Sequence, residues 1–169
     1  DVKRVCKSVC MKLVNKVSHR FKNRKSVIRR RNRAFIRHIT LSGEELEAQR
    51  NTKFTAEVTF SVLVPLYNTP ERFLRDMIES VQKQTYAEWE LCLADGIDAD
   101  HPEVERICME YAGEDSRIRY KRLPKNEGIS ENTNECIRMS TGDYIALFDH
   151  DDVLHPAALF RCMQEIEAK

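Results

Sequence analysis

Phe60-Ser-Val-Leu-Val-Pro-Leu-Tyr-Asn68 is an almost unbroken apolar run, closed by Thr69-Pro70 and followed by Phe73, Leu74, Met77, Ile78 and Val81. An apolar run of this length between turn residues predicts a buried strand over 60–67, and the three- and four-residue steps behind it predict the buried face of a helix. Pro70 suits the first helical position, where an N–H has no partner anyway. The alternation then repeats. Trp89–Ala94 reads as a second strand, and Val104, Ile107, Cys108 and Tyr111 as a helix ending near Gly113. Ile118–Leu123 follows as a third strand, Ile129–Met139 as a helix closed by Ser140-Thr141-Gly142, and Tyr144–Phe148 as a fourth strand before a last helix from Pro156. This order predicts an α/β fold with a mostly parallel sheet and helices on both faces.

Upstream the chemistry changes. The chain has 169 residues, 28 Lys+Arg, 27 Asp+Glu and a net charge of +1. That near-balance averages a net of +13 over residues 1–38 with −12 over the rest. Val2, Val5, Cys6, Val9, Cys10, Leu13 and Val17 recur at helical steps, with Lys3, Arg4, Lys7, Lys12 and Lys16 between them. A basic amphipathic helical extension is therefore expected over 1–50, its last part a short polar helix at 43–50 behind a Ser42…Glu45 capping box. A linker is expected over 51–58, leading to the α/β domain at 59–169. Three uses of the arm compete: a solvated or core-docking helix, adsorption on an anionic membrane surface through residues 1–38, and nucleic-acid binding. Nucleic acid is the weakest, because Phe21 and Phe35 are the only aromatics there that could stack on bases. No apolar run approaches the ~18 residues needed to span a bilayer.

The six cysteines form no C-x-x-C pair and no zinc-finger spacing, so buried thiols acting as small hydrophobes are expected. Nothing near the start resembles a signal peptide, and a reducing cytoplasm is the expected compartment, with peripheral attachment to the inner face of the membrane if the arm adsorbs there.

In open parallel sheets ligands bind at the carboxyl ends of the strands. The first strand delivers Pro65, Tyr67 and Asn68 to that edge, the second Asp95 and Gly96, the third Asn126 and Gly128, and the fourth Asp149-His150-Asp151-Asp152. Three carboxylates in four residues repel one another; either the loop is simply solvated, with a helix cap ahead of Pro156, or a hard cation offsets them, and Mg2+ or Mn2+ accepts oxygen ligands while leaving positions for phosphate. Neither a P-loop nor a Gly-x-Gly-x-x-Gly turn is present, so a nucleoside diphosphate would be neutralised through metal rather than cradled by glycine-rich backbone. Asp95 could accept a hydrogen bond from a base N–H, and Tyr67 could stack on the base or simply pack.

Five ordered blocks carry a family resemblance: Phe60 to Asn68, Ser80-Val-Gln-Lys-Gln-Thr-Tyr86, Trp89-Glu-Leu-Cys-Leu-Ala-Asp-Gly96, Asn126-Glu-Gly-Ile-Ser130 and Gly142-Asp-Tyr-Ile-Ala-Leu-Phe-Asp-His-Asp-Asp152. Over residues 59–167 the chain resembles the opening of family 2 glycosyltransferases. The resemblance implies a GT-A fold, a Rossmann-like domain that uses a nucleotide-diphospho-sugar, here UDP- or dTDP-linked. It implies that Pro65, Tyr67 and Asp95 line the base pocket, that Asp149 faces the ribose and that Asp151 holds Mg2+ or Mn2+ on the diphosphate. The basic extension resembles those of bacterial enzymes that build capsule, O-antigen or rhamnose-rich wall polysaccharide, with a saccharide acceptor. The acceptor site and the catalytic base are implied to lie beyond Lys169.

Two departures from the family pattern stand out: Ile97 occupies a usual Ser position, and Asn132-Thr133-Asn134 replaces Ala-Arg-Asn, so that a phosphate-facing Arg is either absent or replaced by Lys125 or Arg122. The alternative is a non-catalytic nucleotide-binding or membrane-docking module. A phosphate-receiver domain would want an Asp after its third strand, where Leu123-Pro124-Lys125 stands.

Overall fold

A computed structural model describes residues 40–96 and 101–168. The chain divides into two compact units, Asp1–Ser42 and Gly43–Lys169. Expectations for the basic arm, for Cys6 and Cys10 and for Ile97 fall outside the described residues.

The second unit runs α1 (Gly43–Arg50), β1 (Phe60–Leu66), α2 (Glu71–Gln82), β2 (Trp89–Asp95), α3 (Pro102–Glu114), β3 (Ile118–Arg122), α4 (Ile129–Met139), β4 (Tyr144–Leu147) and α5 (Ala158–Glu167). All three pairings are parallel and the sheet order is β3-β2-β1-β4. β1 and β2 are apolar on both faces because both faces are covered, as parallel crossovers require. Val62, Val64, Leu66, Leu91 and Leu93 face the larger cluster with Leu74, Met77, Ile78, Ile107 and Met163. Leu63, Cys92 and Ala94 face the other way, onto Cys136 of α4 and Leu123. The α/β expectation therefore holds, with helices on both faces.

The helical periods hold with one correction. Leu74, Met77, Ile78 and Val81 are fully buried, but Phe73 is 45% exposed. It lies outside the narrow stripe that those four residues define. Likewise Cys92, Cys108 and Cys136 are buried thiols, whereas Cys162 is exposed on α5. Burial pushes the Cys92 thiol up to about 12 and Cys136 to about 11, so neither ionises at neutral pH.

Residues 51–59 have no regular structure, yet they hold to the α/β body. The Phe54 ring lies 5.7 Å from Tyr86 and 5.4 Å from Phe160. The Glu167 carboxylate accepts hydrogen bonds from the Thr55 and Ala56 main-chain N–H groups. Thr85 also donates to Gln49 of α1 at 2.8 Å, so this helix too contacts the body.

β4 ends the sheet among the described residues, and its side chains are open: Tyr144 is 47%, Ile145 51% and Leu147 71% exposed. Its pairing to β1 covers only four residues, Phe60–Leu63 against Tyr144–Leu147.

Candidate active site at the carboxyl edge of the sheet

Parallel pairing brings all four strand ends to one edge. Pro65 pairs with Ala94, and Leu66 with Asp95, at the last rungs of β1 and β2. Tyr67 follows immediately and is 45% exposed, so it is not a core ring and its side chain is open at this edge. Asn68 takes a left-handed φ of 48°, a conformation Asn tolerates better than most residues, which turns the chain sharply into α2.

Asp95 is fully buried. Its Oδ2 accepts a 3.0 Å hydrogen bond from the Tyr120 hydroxyl of β3. Burial and this carboxylate together hold the Tyr120 phenol well above its ordinary range, so it stays a donor. Gly96 donates to the Leu66 carbonyl at 3.1 Å, tying the ends of β1 and β2 together. A Cβ on Gly96 would stand 2.6 Å from Asn132 Nδ2 and 3.0 Å from Asn126 Oδ1, so only glycine fits between them.

Asn126 and Gly128 form the next wall. Asn126 Oδ1 accepts from the Gly128 N–H at 3.0 Å and from Asn132 Nδ2 at 3.2 Å. Gly128 caps α4 with φ 93°, which a side chain would strain. Asn132, one of the departures noted in the sequence, is 2% exposed and also reaches the Leu66 carbonyl at 3.4 Å. It joins the end of β1 to the β3–α4 loop and lies against Gly96, a role that a smaller residue could not fill.

Asp149, Asp151 and Asp152 lie on the exposed loop after β4, and none makes an ion pair with a described residue. Arg122 and Lys125, the cations expected to substitute for a missing Arg, are each engaged: Arg122 with Glu105 at 2.7 Å and Lys125 with Glu127 at 2.6 Å. Several buried atoms at this edge, Thr69 Oγ1, Asn132 Oδ1 and His150 Nδ1 among them, have no hydrogen-bond partner among the described residues. Among the described residues no group of three or more His, Cys, Asp and Glu converges into a metal site by itself.

Glu90 is a buried polar residue that the sequence reading did not single out. It lies on β2 at the opposite, amino-terminal edge, and 8% of it is exposed. Its carboxylate accepts from Ser61 Oγ at 2.7 Å, Arg119 at 3.1 Å, Thr141 Oγ1 at 3.0 Å and the Gly142 N–H at 3.1 Å, and also from the Thr141 N–H. Burial pushes this carboxyl up, but the hydrogen bonds outweigh it and bring it down to about 2. Thus β2 grips the turn that enters β4. A carboxylate inside the apolar run Trp89–Ala94 was the available signal, since a charge is rarely buried without partners.

The model of glycosyl transferase family 2 matches residues 61–169. The chain belongs to that family. Among curated relatives of this family 2 chain, an uncharacterized protein, y4gI, of Sinorhizobium fredii is 48% identical over 108 residues, 64% of this chain and 12% of that protein. The putative glycosyltransferase EpsE of Bacillus subtilis is 40% identical over 100 residues, 59% of this chain and 35% of EpsE. The family 2 chain thus spans well under half the length of either relative. The crystal structure of S. aureus TarS superposes with a TM-score of 0.59 at 24% identity, covering 65% of this chain and 20% of TarS, a likeness of fold. The GT-A expectation for the fold is borne out.

Proposed function

We propose that this family 2 chain forms the donor-binding part of a glycosyltransferase that moves a sugar from a UDP- or dTDP-linked donor to a growing bacterial surface polysaccharide. The observation that carries the proposal is that one sheet edge bears both the buried Asp95 carboxylate and an exposed acidic loop that has no cation partner among the described residues. Asp95, held by Tyr120, accepts from the base N–H, while Pro65, Tyr67 and Asn68 flank the base. Asn126 and Gly128 shape the far wall, and Asp149 faces the ribose. The buried atoms Asn132 Oδ1 and His150 Nδ1, unpartnered among the described residues, support a site whose polar groups are completed by a ligand.

The carboxylates fit a divalent ion that shares its coordination with phosphate. Exposed Asp oxygens are hard donors, and Mg2+ and Mn2+ are commonly held by one or two carboxylates plus substrate phosphates and water. Asp151 would hold the ion, with Asp149 beside it. When bound, the ion supplies charge stabilisation for the departing diphosphate. Displacement at the anomeric carbon also needs a base for the acceptor hydroxyl, which is proposed to belong to a segment following the acidic motif. The basic arm, residues 1–38, is proposed to attach the protein peripherally to an anionic membrane. No described helix is long and apolar enough to cross one.

A thermal-shift screen of nucleotides and nucleotide-diphospho-sugars with and without Mn2+ tests the proposal. A ligand at a hundredfold excess over its Kd adds about 2.7 kcal/mol, roughly 5–10 °C in Tm for a chain of this size. UDP- or dTDP-linked compounds should give that shift only with metal. An equal response to every nucleotide, or none, would reject it.

A further inference from the structure

The loop that bears Asp149, Asp151 and Asp152 contains little that sets its own shape: the Asp152 N–H reaches the Asp149 carbonyl at 3.3 Å, and the carboxylates themselves are exposed. Its two ends, by contrast, are fastened by buried polar groups. Upstream, Glu90 grips Thr141 and Gly142, and the Phe148 N–H donates to the Leu63 carbonyl at 3.1 Å. Downstream, three polar residues at the end of α2 do the fastening, and all are buried: Ser80 5%, Gln84 6% and Thr85 4% exposed.

Ser80 Oγ donates to the Met77 carbonyl at 2.7 Å and accepts from the Leu154 N–H at 3.0 Å. Gln84 Nε2 donates to the carbonyls of Ser80 at 3.1 Å and His155 at 2.8 Å, while its Oε1 accepts from the Leu159 N–H at 3.1 Å. The Thr85 N–H donates to the Pro156 carbonyl at 2.8 Å. Main-chain groups at 154, 155, 156 and 159 are therefore all caught by one short segment of α2 and the turn after it. Gln84 is its hub, because it alone holds both the loop, at His155, and the first turn of α5, at Leu159. Two carbonyls on one end of its amide and an N–H on the other fix the orientation of the group.

We propose that Gln84 is a positioning residue for the acidic loop, fixing where the loop carboxylates stand relative to a bound nucleoside diphosphate. The proposal rests on the donor-site assignment made above. Its physical basis is that a carboxylate on an exposed loop acquires a defined position only from the points where the loop is anchored. Displacement of a catalytic or binding group by about 1 Å can cost on the order of a hundredfold. Gln84→Glu keeps the side-chain length and the acceptor for Leu159 but turns an oxygen toward the Ser80 and His155 carbonyls, and so opposes the clamp without emptying the space. Ser80→Ala removes one anchor, that on Leu154, and is the milder variant should Gln84→Glu fold poorly.

The test uses the full chain and three readouts: calorimetry with UDP and Mn2+, NMR titration with uridine, which lacks the diphosphate, and amide hydrogen exchange. In Gln84→Glu the affinity for UDP with Mn2+ should fall about tenfold, with a smaller fall in Ser80→Ala. Uridine affinity should stay within about twofold, because the base wall does not depend on this clamp. Exchange should accelerate at residues 149–158 and remain slow in β1 and β2. Unchanged UDP–Mn2+ affinity in a variant with a loosened loop would overturn the proposal, as would parallel losses of uridine and UDP, which would mark a merely structural role. Failure of the unaltered protein to bind UDP with Mn2+ would instead overturn the donor-site assignment, and the exchange data would separate the two failures.

Discussion

The Tyr120 hydroxyl donates a 3.0 Å hydrogen bond to Asp95 Oδ2, so the last residue of β2 is oriented by its neighbour on β3. Asp95 is fully buried, and a buried carboxylate deprived of a donor is destabilised by about 1–3 kcal/mol. Tyr120→Phe should therefore lower unfolding free energy by about that amount in a urea titration and weaken UDP binding about tenfold. A variant of unchanged stability and affinity would show that Tyr120 does not orient Asp95.

Glu90 gives a pH signature. Its carboxyl sits at about 2 when folded, against 4.5 for the unperturbed group. A depressed carboxylate stabilises the fold above its unfolded value, and that contribution is lost as pH falls toward the folded value. The window is thus pH 4.5 down to 2, and the amount at stake is about 2–3 kcal/mol. Glu90→Gln should be less stable than the unaltered protein at neutral pH. The difference should shrink on acidification through that window, followed by chemical denaturation at fixed pH values.

Two glycines should respond oppositely to alanine. At Gly96 a Cβ would meet Asn132 Nδ2 at 2.6 Å and the Asn126 Cα at 3.2 Å, so Gly96→Ala should destabilise by about 1–3 kcal/mol and disturb the nucleotide wall. At Gly113, near the end of α3, a Cβ meets nothing within 4 Å. Gly113→Ala should stabilise by about 0.5–1 kcal/mol, as expected for a helical glycine replaced by alanine. Thermal unfolding of the pair checks both signs.

The architecture was legible where burial follows local pattern. Leu74, Met77, Ile78 and Val81 announce one helix face, and Trp89 to Ala94 announce a strand covered on both sides. The acidic loop was legible because Asp149, Asp151 and Asp152 crowd together in sequence. The supporting contacts were not. Glu90 meets Gly142 across 52 residues, and Gln84 meets Leu159 across 75. No local period encodes such pairs, and their only trace is a polar residue inside or beside an apolar run. Phe73 and Cys162 erred the other way, since apolar or sulfur chemistry alone does not say which side of a helix meets the core.

The basic arm carries a separate prediction. Deleting residues 1–38 should abolish sedimentation with anionic vesicles while leaving nucleotide affinity unchanged. Binding of the intact chain should weaken in high salt, because screening at roughly 1 M confines charge effects to about 3 Å. Sedimentation that survives the deletion would remove the arm from membrane attachment.

The most direct test of the central claim is calorimetry of UDP binding with Mn2+, with excess chelator, and in Asp151→Asn. Metal-dependent donor binding at the acidic loop predicts measurable affinity with Mn2+, its loss on chelation, and a fall of at least about a hundredfold in Asp151→Asn, some 2.7 kcal/mol. Equal affinity in all three would contradict the account.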